Sequence, residues 1–405
     1  MQLAQPVQEK FHLNTPFFSI IIPTRNRPDL LRDALVSALF QDFNDFEVVV
    51  SDNCNDDRTQ KVLDEFNYNP RLRCIRPERL LQMPEHWEFA SRHAEGTYVL
   101  FLTDRSVLKR HALKTIYNTI NTTGEDVSVC SWRWSLYDDL ARQEFGDVST
   151  HAGGVERVSS KIICSDFTEG ISKYPYTLPR GLNSCYRKNV ISSLQDRYGT
   201  VFRPMSPDYT SAFLLLSKVD SVLYIDQALF ISQGLRISNG GNAYSKTADA
   251  YLQALGEKDW LSHVPIKVPL VENTIFQDYL SIRDLAGGTL CEVNIDWVNY
   301  FEKCYRELIE KTGARLLSDY ELDALYAEWR RALAGFDHSV QHEVQRKLSG
   351  LYWLKLKAKF KGSTIGPFAR RMKRKIDSIR HRGWQIKGGQ SILDVAGFRG
   401  EKLRP

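Results

Sequence analysis

The chain has 405 residues, of which 42% are hydrophobic and 25% charged, and no apolar run approaches the ~18 to 20 residues of a bilayer span. It reads as a soluble globular protein with room for one full α/β domain and a smaller second unit. Its net charge of +5 is uneven: residues 341–405 hold 17 Lys or Arg against 4 Asp or Glu, so +13, which leaves −8 for residues 1–340.

The first 15 residues have neither a basic head nor a continuous apolar stretch, so a secretion signal is not expected and the cytoplasm is the expected compartment. Seven cysteines, widely spaced and free of any CxxC pair, argue against a disulfide framework and against a zinc cluster. In chain order, Phe17 to Ile22 reads as a buried strand closed by Pro23, and the apolar positions Leu30, Leu31, Ala34, Leu35, Ala38 and Leu39 give a helix over 29–40. A second strand over 46–51 completes a βαβ unit. Then follow a helix over 57–66, a short strand over 71–76, a helix over 85–93 and a strand over 97–102. Strands alternating with helices predict a mostly parallel, Rossmann-like sheet with helices on its faces.

Past a further strand at 127–132, the stretch to Val158 reads as loop or edge hairpin. Pro175 to Pro179 breaks any helix, GLNSCYRKNVI is a strand entering a helix, SPDYTSAFLLLSKV is a helix with a Ser-Pro-Asp start, and Ser221 to Ile225 is a strand. RISNGGNAYS is a loop, and from about Trp297 to Phe360 the pattern is helical. These features divide the chain into a tail (1–15), an α/β domain (16–240), a helical extension (241–340) and a basic C-terminal segment (341–405).

Three strand ends carry polar clusters, and the carboxyl edge of a parallel sheet is where such folds bind ligands. The first, PTRNRP (23–28), lacks the glycines of a dinucleotide turn and of a phosphate-cradling loop, but offers a hydroxyl, two guanidiniums and an amide suited to phosphate and ribose oxygens. At the second, Asp52, Asn53 and Asp56 can accept from a base N–H or a ribose hydroxyl, although such clusters are also ordinary turn formers. The third is Thr103-Asp104-Arg105-Ser106. Its single carboxylate can hold Mg2+ or Mn2+, or Arg105 can neutralise phosphates as a permanent cation.

The order and spacing of these three clusters resemble the glycosyltransferase family 2 enzymes of the GT-A fold. The segment MPEHWEFASRHAEGTYVLFLTD is similar to the family's approach to its Asp-x-Asp-type motif, with His86-Trp87 on the helix and Ala94-Glu95-Gly96-Thr97-Tyr98 before the strand. NSCYRKNVISSL and Ser206-Pro207-Asp208-Tyr209 continue the likeness, which covers about 16–240. It implies a nucleotide-sugar donor held by Pro23, Thr24, Arg25, Asn26, Asp52, Asn53, Asp56, His86, Trp87, Asp104 and Arg105. Asp208 is implied as the base of an inverting transfer to a hydroxyl of a saccharide or of a lipid-linked or cell-envelope acceptor. Arg105 and Ser106 stand where the family usually has another carboxylate, and Ser238 and Asn239 where many members carry a His. That leaves two readings of the metal, an ion held through Asp104 alone or none. It also leaves a second class of function, a catalytically silent module that binds nucleotide sugars or serves as a scaffold. A nucleotidyltransferase would need more carboxylates in one cluster.

Residues 353–387 interleave apolar side chains with thirteen basic ones, His381 included. Such a segment can lie on an anionic membrane surface, which predicts a peripheral position at the cytoplasmic face; a solvated tail is the plain alternative, and nucleic acid the weakest of the three.

Overall fold

The structure is a computed structural model and describes residues 15–53, 57–123, 126–138, 142–145, 154–170, 174–233, 260–314, 317–350 and 391–398. Strands β1 (Phe18–Thr24), β2 (Phe46–Asp52), β3 (Leu72–Ile75) and β4 (Tyr98–Phe101) form a parallel block in the order β3-β2-β1-β4. Helices α1 (Pro28–Leu39), α2 (Asp57–Asp64) and α3 (Met83–Arg92) connect them. The expected βαβ reading holds here because β1, β2 and β4 are buried on both faces and therefore read as unbroken apolar runs.

Pro23 does not end β1. The strand continues to Thr24, opposite Asp52, while pairing with β4 stops at Ile21 and Phe101. Ile21 accepts on the β4 side and Thr24 on the β2 side, so the missing N–H of Pro23 points past the end of the β4 ladder and no bond is lost.

Beyond β4 the sheet becomes mixed. Strands β5 (Ser106–Leu108), β6 (Val129–Asp138), β7 (Gln143–Phe145), β8 (Val155–Ser159), β9 (Ser184–Arg187) and β10 (Ser221–Gln233) complete ten strands, and the main order continues β4-β9-β6-β10-β5. Strand β9 runs antiparallel to β4 and β6, and β5 and β8 antiparallel to β10. The stretch expected as loop or hairpin before Val158 thus supplies two short edge strands, β7 on β6 and β8 on β10.

Helices α4 (Ala112–Thr122), α5 (Ser160–Glu169), α6 (Tyr174–Thr177), α7 (Lys188–Tyr198) and α8 (Pro207–Lys218) flank the sheet. The extension adds α9 (Val271–Ala286), α10 (Trp297–Ala314), α11 (Asp319–Ala334) and α12 (His338–Ser349). Its core is continuous with that of the α/β unit: Phe213 of α8 lies 5.1 Å from both Phe167 of α5 and Tyr279 of α9, ring centre to ring centre. The expected boundary at 340/341 falls inside α12. A last helix, α13 (Ile392–Ala396), returns to the sheet, where Ile392, Ala396 and Phe398 pack with Val107, Tyr137 and Ile231. Among the described residues, no helix is long and apolar enough to cross a membrane. Residues 353–387, the loop bearing Ser238 and Asn239, Cys54 and Asp56 lie outside the described residues.

Candidate functional site

All parallel strands of the first block point their carboxyl ends to one edge, which brings Thr24, Asp52 and Asp104 together there. The antiparallel β9 begins at the edge where β4 ends, so the residues before it, Arg180 among them, face the same crevice. Strand β10 arrives with its own carboxyl end, Ser232 and Gln233.

Asp104 is 7% exposed, and both its oxygens are engaged: the Thr24 hydroxyl donates to Oδ2 at 3.2 Å, and Arg27 Nη1 lies 3.5 Å from Oδ1. Burial raises its pKa, and Arg27, Thr24 and Arg105 pull it back. Arg105 stands just before β5 and bonds to the end of its neighbour β10. Its Nη1 donates to the Ser232 hydroxyl at 2.7 Å and to the Gln233 carbonyl at 2.8 Å, and Gln233 N–H returns a bond to the Arg105 carbonyl at 3.0 Å. Burial lowers the Arg105 pKa, and the charges of Asp104, Arg27, Asp208 and Arg180 all act on it, so these five groups share one crevice.

Asp208 sits at the second position of α8, behind the Ser206 cap and Pro207. Its Oδ2 lies 3.9 Å from Arg180 Nη1 and its side chain is 21% exposed. Burial raises the Asp208 pKa, opposed by Arg180, by the N–H groups of Asp208 and Tyr209, and by Arg105. A carboxylate shifted upward but still in reach of solvent suits proton transfer better than an ordinary aspartate does. Arg180 also donates to the Tyr209 hydroxyl at 3.1 Å and stacks on Trp134 and Tyr209, 4.7 and 5.1 Å from the ring centres.

The backbone leading into α8 is strained. Met205 has φ of 88° and is 7% exposed, a left-handed conformation that costs a bulky residue about 1–3 kcal/mol. The next N–H, of Ser206, donates to Asp278 Oδ2 at 3.1 Å, and Asp278 is a 1% exposed carboxyl on α9.

Of the residues expected at the donor, Thr24, Asp104 and Arg105 converge with Asp208, and Asp52 lies at the same edge with its Oδ2 3.2 Å from Arg76 Nε. Pro23 is buried within β1, while Arg25 and Asn26 are exposed on the turn beyond it, Asn26 with φ of 55°. Three of the expected residues are buried and engaged with neighbours within the fold. Trp87 is 6% exposed and stacks on Phe101 at 4.8 Å, so it is core. His86 is 4% exposed, with Nε2 2.8 Å from the Ser51 hydroxyl, beneath the end of β2; burial lowers its pKa to about 4, so it is neutral. Both ends of the Asn53 amide are spent on Leu81, at 2.8 and 2.9 Å, bracing the loop before α3.

The sequence reading gave no role to Arg27, in the first cluster two residues beyond Arg25, or to Tyr209, next to Asp208, because nothing in the spacing shows which of these side chains turns inward. It missed Arg180 and Asp278, whose placement depends on long-range packing.

At Asp104 the one carboxylate is engaged by Thr24 and Arg27, and Arg27 and Arg105 stand beside it as cations. Among the described residues, no group of three or more His, Cys, Asp or Glu is placed to hold a metal ion.

Residues 19–152, about a third of the chain, match the family model described as Glycosyl transferase family 2. Two curated relatives are similar over short stretches. One is the poly(ribitol-phosphate) beta-N-acetylglucosaminyltransferase TarS of Staphylococcus aureus, 31% identical over 113 residues, 27% of this chain and 20% of that protein. The other is the GalNAc(5)-diNAcBac-PP-undecaprenol beta-1,3-glucosyltransferase of Campylobacter jejuni, 33% identical over 108 residues, 26% of this chain and 35% of that one. The chain thus matches between a fifth and about a third of the length of these relatives. A crystal structure of Staphylococcus aureus TarS 1–349 in complex with UDP-GlcNAc aligns with a TM-score of 0.46 and 16% identity, covering 83% of this chain and 91% of that one.

Proposed function

We propose that the protein is an inverting glycosyltransferase that moves a sugar from a nucleotide-sugar donor to a hydroxyl of a saccharide or of a lipid-linked or cell-envelope acceptor. The observation that carries this reading is the placement of Asp208, a partly solvent-reached carboxylate of raised pKa, across one crevice from Asp104 and Arg105 at the strand ends. The two relatives support the acceptor class, since one is named for a poly(ribitol-phosphate) and the other for an undecaprenol-linked glycan.

In this mechanism Asp208 takes the proton of the acceptor hydroxyl, and the oxygen forms a bond to the anomeric carbon from the face opposite the nucleotide. The bond from that carbon to the diphosphate oxygen breaks, and the nucleoside diphosphate leaves with the electron pair. Arg105 and Arg27, with Arg180 nearby, balance the developing charge; their guanidiniums carry permanent positive charge, held in place by the fold. Turnover in excess chelator at the rate seen without it is therefore expected, and complete loss restored by manganese would refute the guanidinium assignment.

Thermal-shift measurements against a panel of nucleotide sugars identify the donor, because a ligand that binds the folded state raises Tm. With that donor, Asp208→Asn is expected to lower kcat by ~10² to 10⁴ while donor KM changes little. In the wild type, kcat should fall with acid at a midpoint above the ordinary aspartate value of 3.8, because the base must be ionised and its pKa is raised. Failure of every donor to turn over would favour a silent binding module.

We place the protein at an anionic membrane face through residues 353–387, on their charge and apolar content alone. Replacing six of the basic residues there by Glu should abolish sedimentation with vesicles containing phosphatidylglycerol; sedimentation without change would overturn the placement.

A further inference from the structure

The three buried polar side chains of α9 do different things. The Asn273 amide donates to the Ile266 and Val268 carbonyls at 2.8 Å, and Gln277 accepts from His263 N–H at 2.8 Å, so both serve the loop that leads into their own helix. Asp278 instead reaches a residue 72 positions earlier in the chain, the backbone N–H of Ser206. That N–H opens α8 and lies two residues before Asp208.

Several observations make this contact more than a packing detail. The Ser206 hydroxyl makes no capping bond, and Pro207 offers no N–H, so the start of α8 lacks the side-chain cap that usually fixes a helix entry. Met205 is held at φ of 88°, a conformation that relaxes unless something outside the turn holds it. Asp278 supplies an acceptor there from a helix locked into the common core by Phe276 and Tyr279. The two carboxyls are close enough for the charge of Asp208 to act on Asp278, whose pKa burial has already raised well above the ordinary value.

We infer that Asp278 is a positioning residue for the transfer reaction: by accepting from Ser206 N–H it holds the strained turn at Met205 and fixes where α8 presents Asp208 to the acceptor hydroxyl. The helical extension is on this account a working part of the catalytic centre. The inference rests on Asp208 being the base.

Asp278→Ala removes the acceptor, and Asp278→Asn keeps an oxygen in the same place without a titratable group. Misplacing a reacting group by ~1 Å can cost ~10² in rate, so Asp278→Ala is expected to lower kcat by about 10- to 100-fold with donor KM within about twofold. Asp278→Asn should restore kcat to within about threefold of the wild type. Hydrogen exchange over residues 203–209, followed by mass spectrometry, should be faster in Asp278→Ala and close to wild type in Asp278→Asn. Unchanged kcat or unchanged exchange in Asp278→Ala overturns the inference, as does an Asp278→Asn variant no better than Asp278→Ala. A parallel loss of donor affinity would mark a general fold defect and also count against it. Asp208→Asn, run alongside, separates the two claims: if it keeps full turnover, the base assignment fails, whatever Asp278 does.

Discussion

Strands β1, β2 and β4 deliver Thr24, Asp52 and Asp104 to the crevice through short βα units, so each side chain follows directly from the apolar run before it. Across the crevice, Arg105 is held by Ser232 and Gln233, 127 and 128 residues away, and the start of α8 by Asp278, 72 residues away. The first half is a scaffold whose faults should appear as lost stability. The second is an assembly of distant partners, whose faults should appear first in kinetics.

The largest test of the scaffold is acid. His86, buried and bonded to Ser51 beneath the end of β2, has its pKa lowered from 6.5 to about 4. The folded state resists its protonation, so its contribution is intact above the unfolded value of 6.5 and is lost as pH falls toward the folded value of about 4. The shift corresponds to about 3 kcal/mol across that window. Urea melts of the wild type and His86→Gln at pH 7 and pH 4 should show the wild type losing that much more than the variant; parallel losses would show that the floor of β2 does not depend on a neutral imidazole.

A somewhat smaller break is expected at Gly96. A Cβ there would stand 2.6 Å from Ser19 N and 2.7 Å from Phe18 C, both backbone atoms at the start of β1. Neither can swing aside, and Gly96 N–H also donates to the Ser19 hydroxyl at 2.7 Å. Gly96→Ala should cost about 2 kcal/mol in chemical denaturation. Whatever remains folded should turn over donor with unchanged KM, because the strain lies at the opposite edge of the sheet from the crevice.

The same division explains what the residues disclosed in advance. The βα units of the first block were legible because buried parallel strands are continuous apolar runs and because α1 shows apolar residues at helical spacing. The clusters at Thr24, Asp52 and Asp104 were legible as strand ends. The inward packing of His86, Trp87 and Asn53 was not legible for a physical reason: a polar or aromatic residue near a crevice looks the same in sequence whether its side chain faces the ligand or the interior. Strands β7 and β8 were obscured because edge strands on a mixed sheet are short and weakly patterned; β8 has three exposed positions in five. Arg180 and Asp278 gave no signal at all, since their roles exist only once β9 and α9 have packed.

Arg105 is where the two halves can be told apart at the smallest scale. Its guanidinium ties the start of β5 to the end of β10, and the same group is assigned to the donor diphosphate. Arg105→Lys keeps the charge but loses the planar fork, so a bidentate contact with phosphate becomes a single one, and the contacts that Nη1 makes to Ser232 and Gln233 lose the guanidinium that makes them. If the residue works mainly on the donor, KM for the donor should rise about tenfold, roughly 1.4 kcal/mol, with Tm within about 2 °C of the wild type. If it is mainly a tie between strands, the order reverses: Tm falls by several degrees and KM stays near the wild-type value. The second result would move Arg105 from the kinetic half to the scaffold. It would also leave Arg27 and Arg180 as the guanidiniums that face the diphosphate.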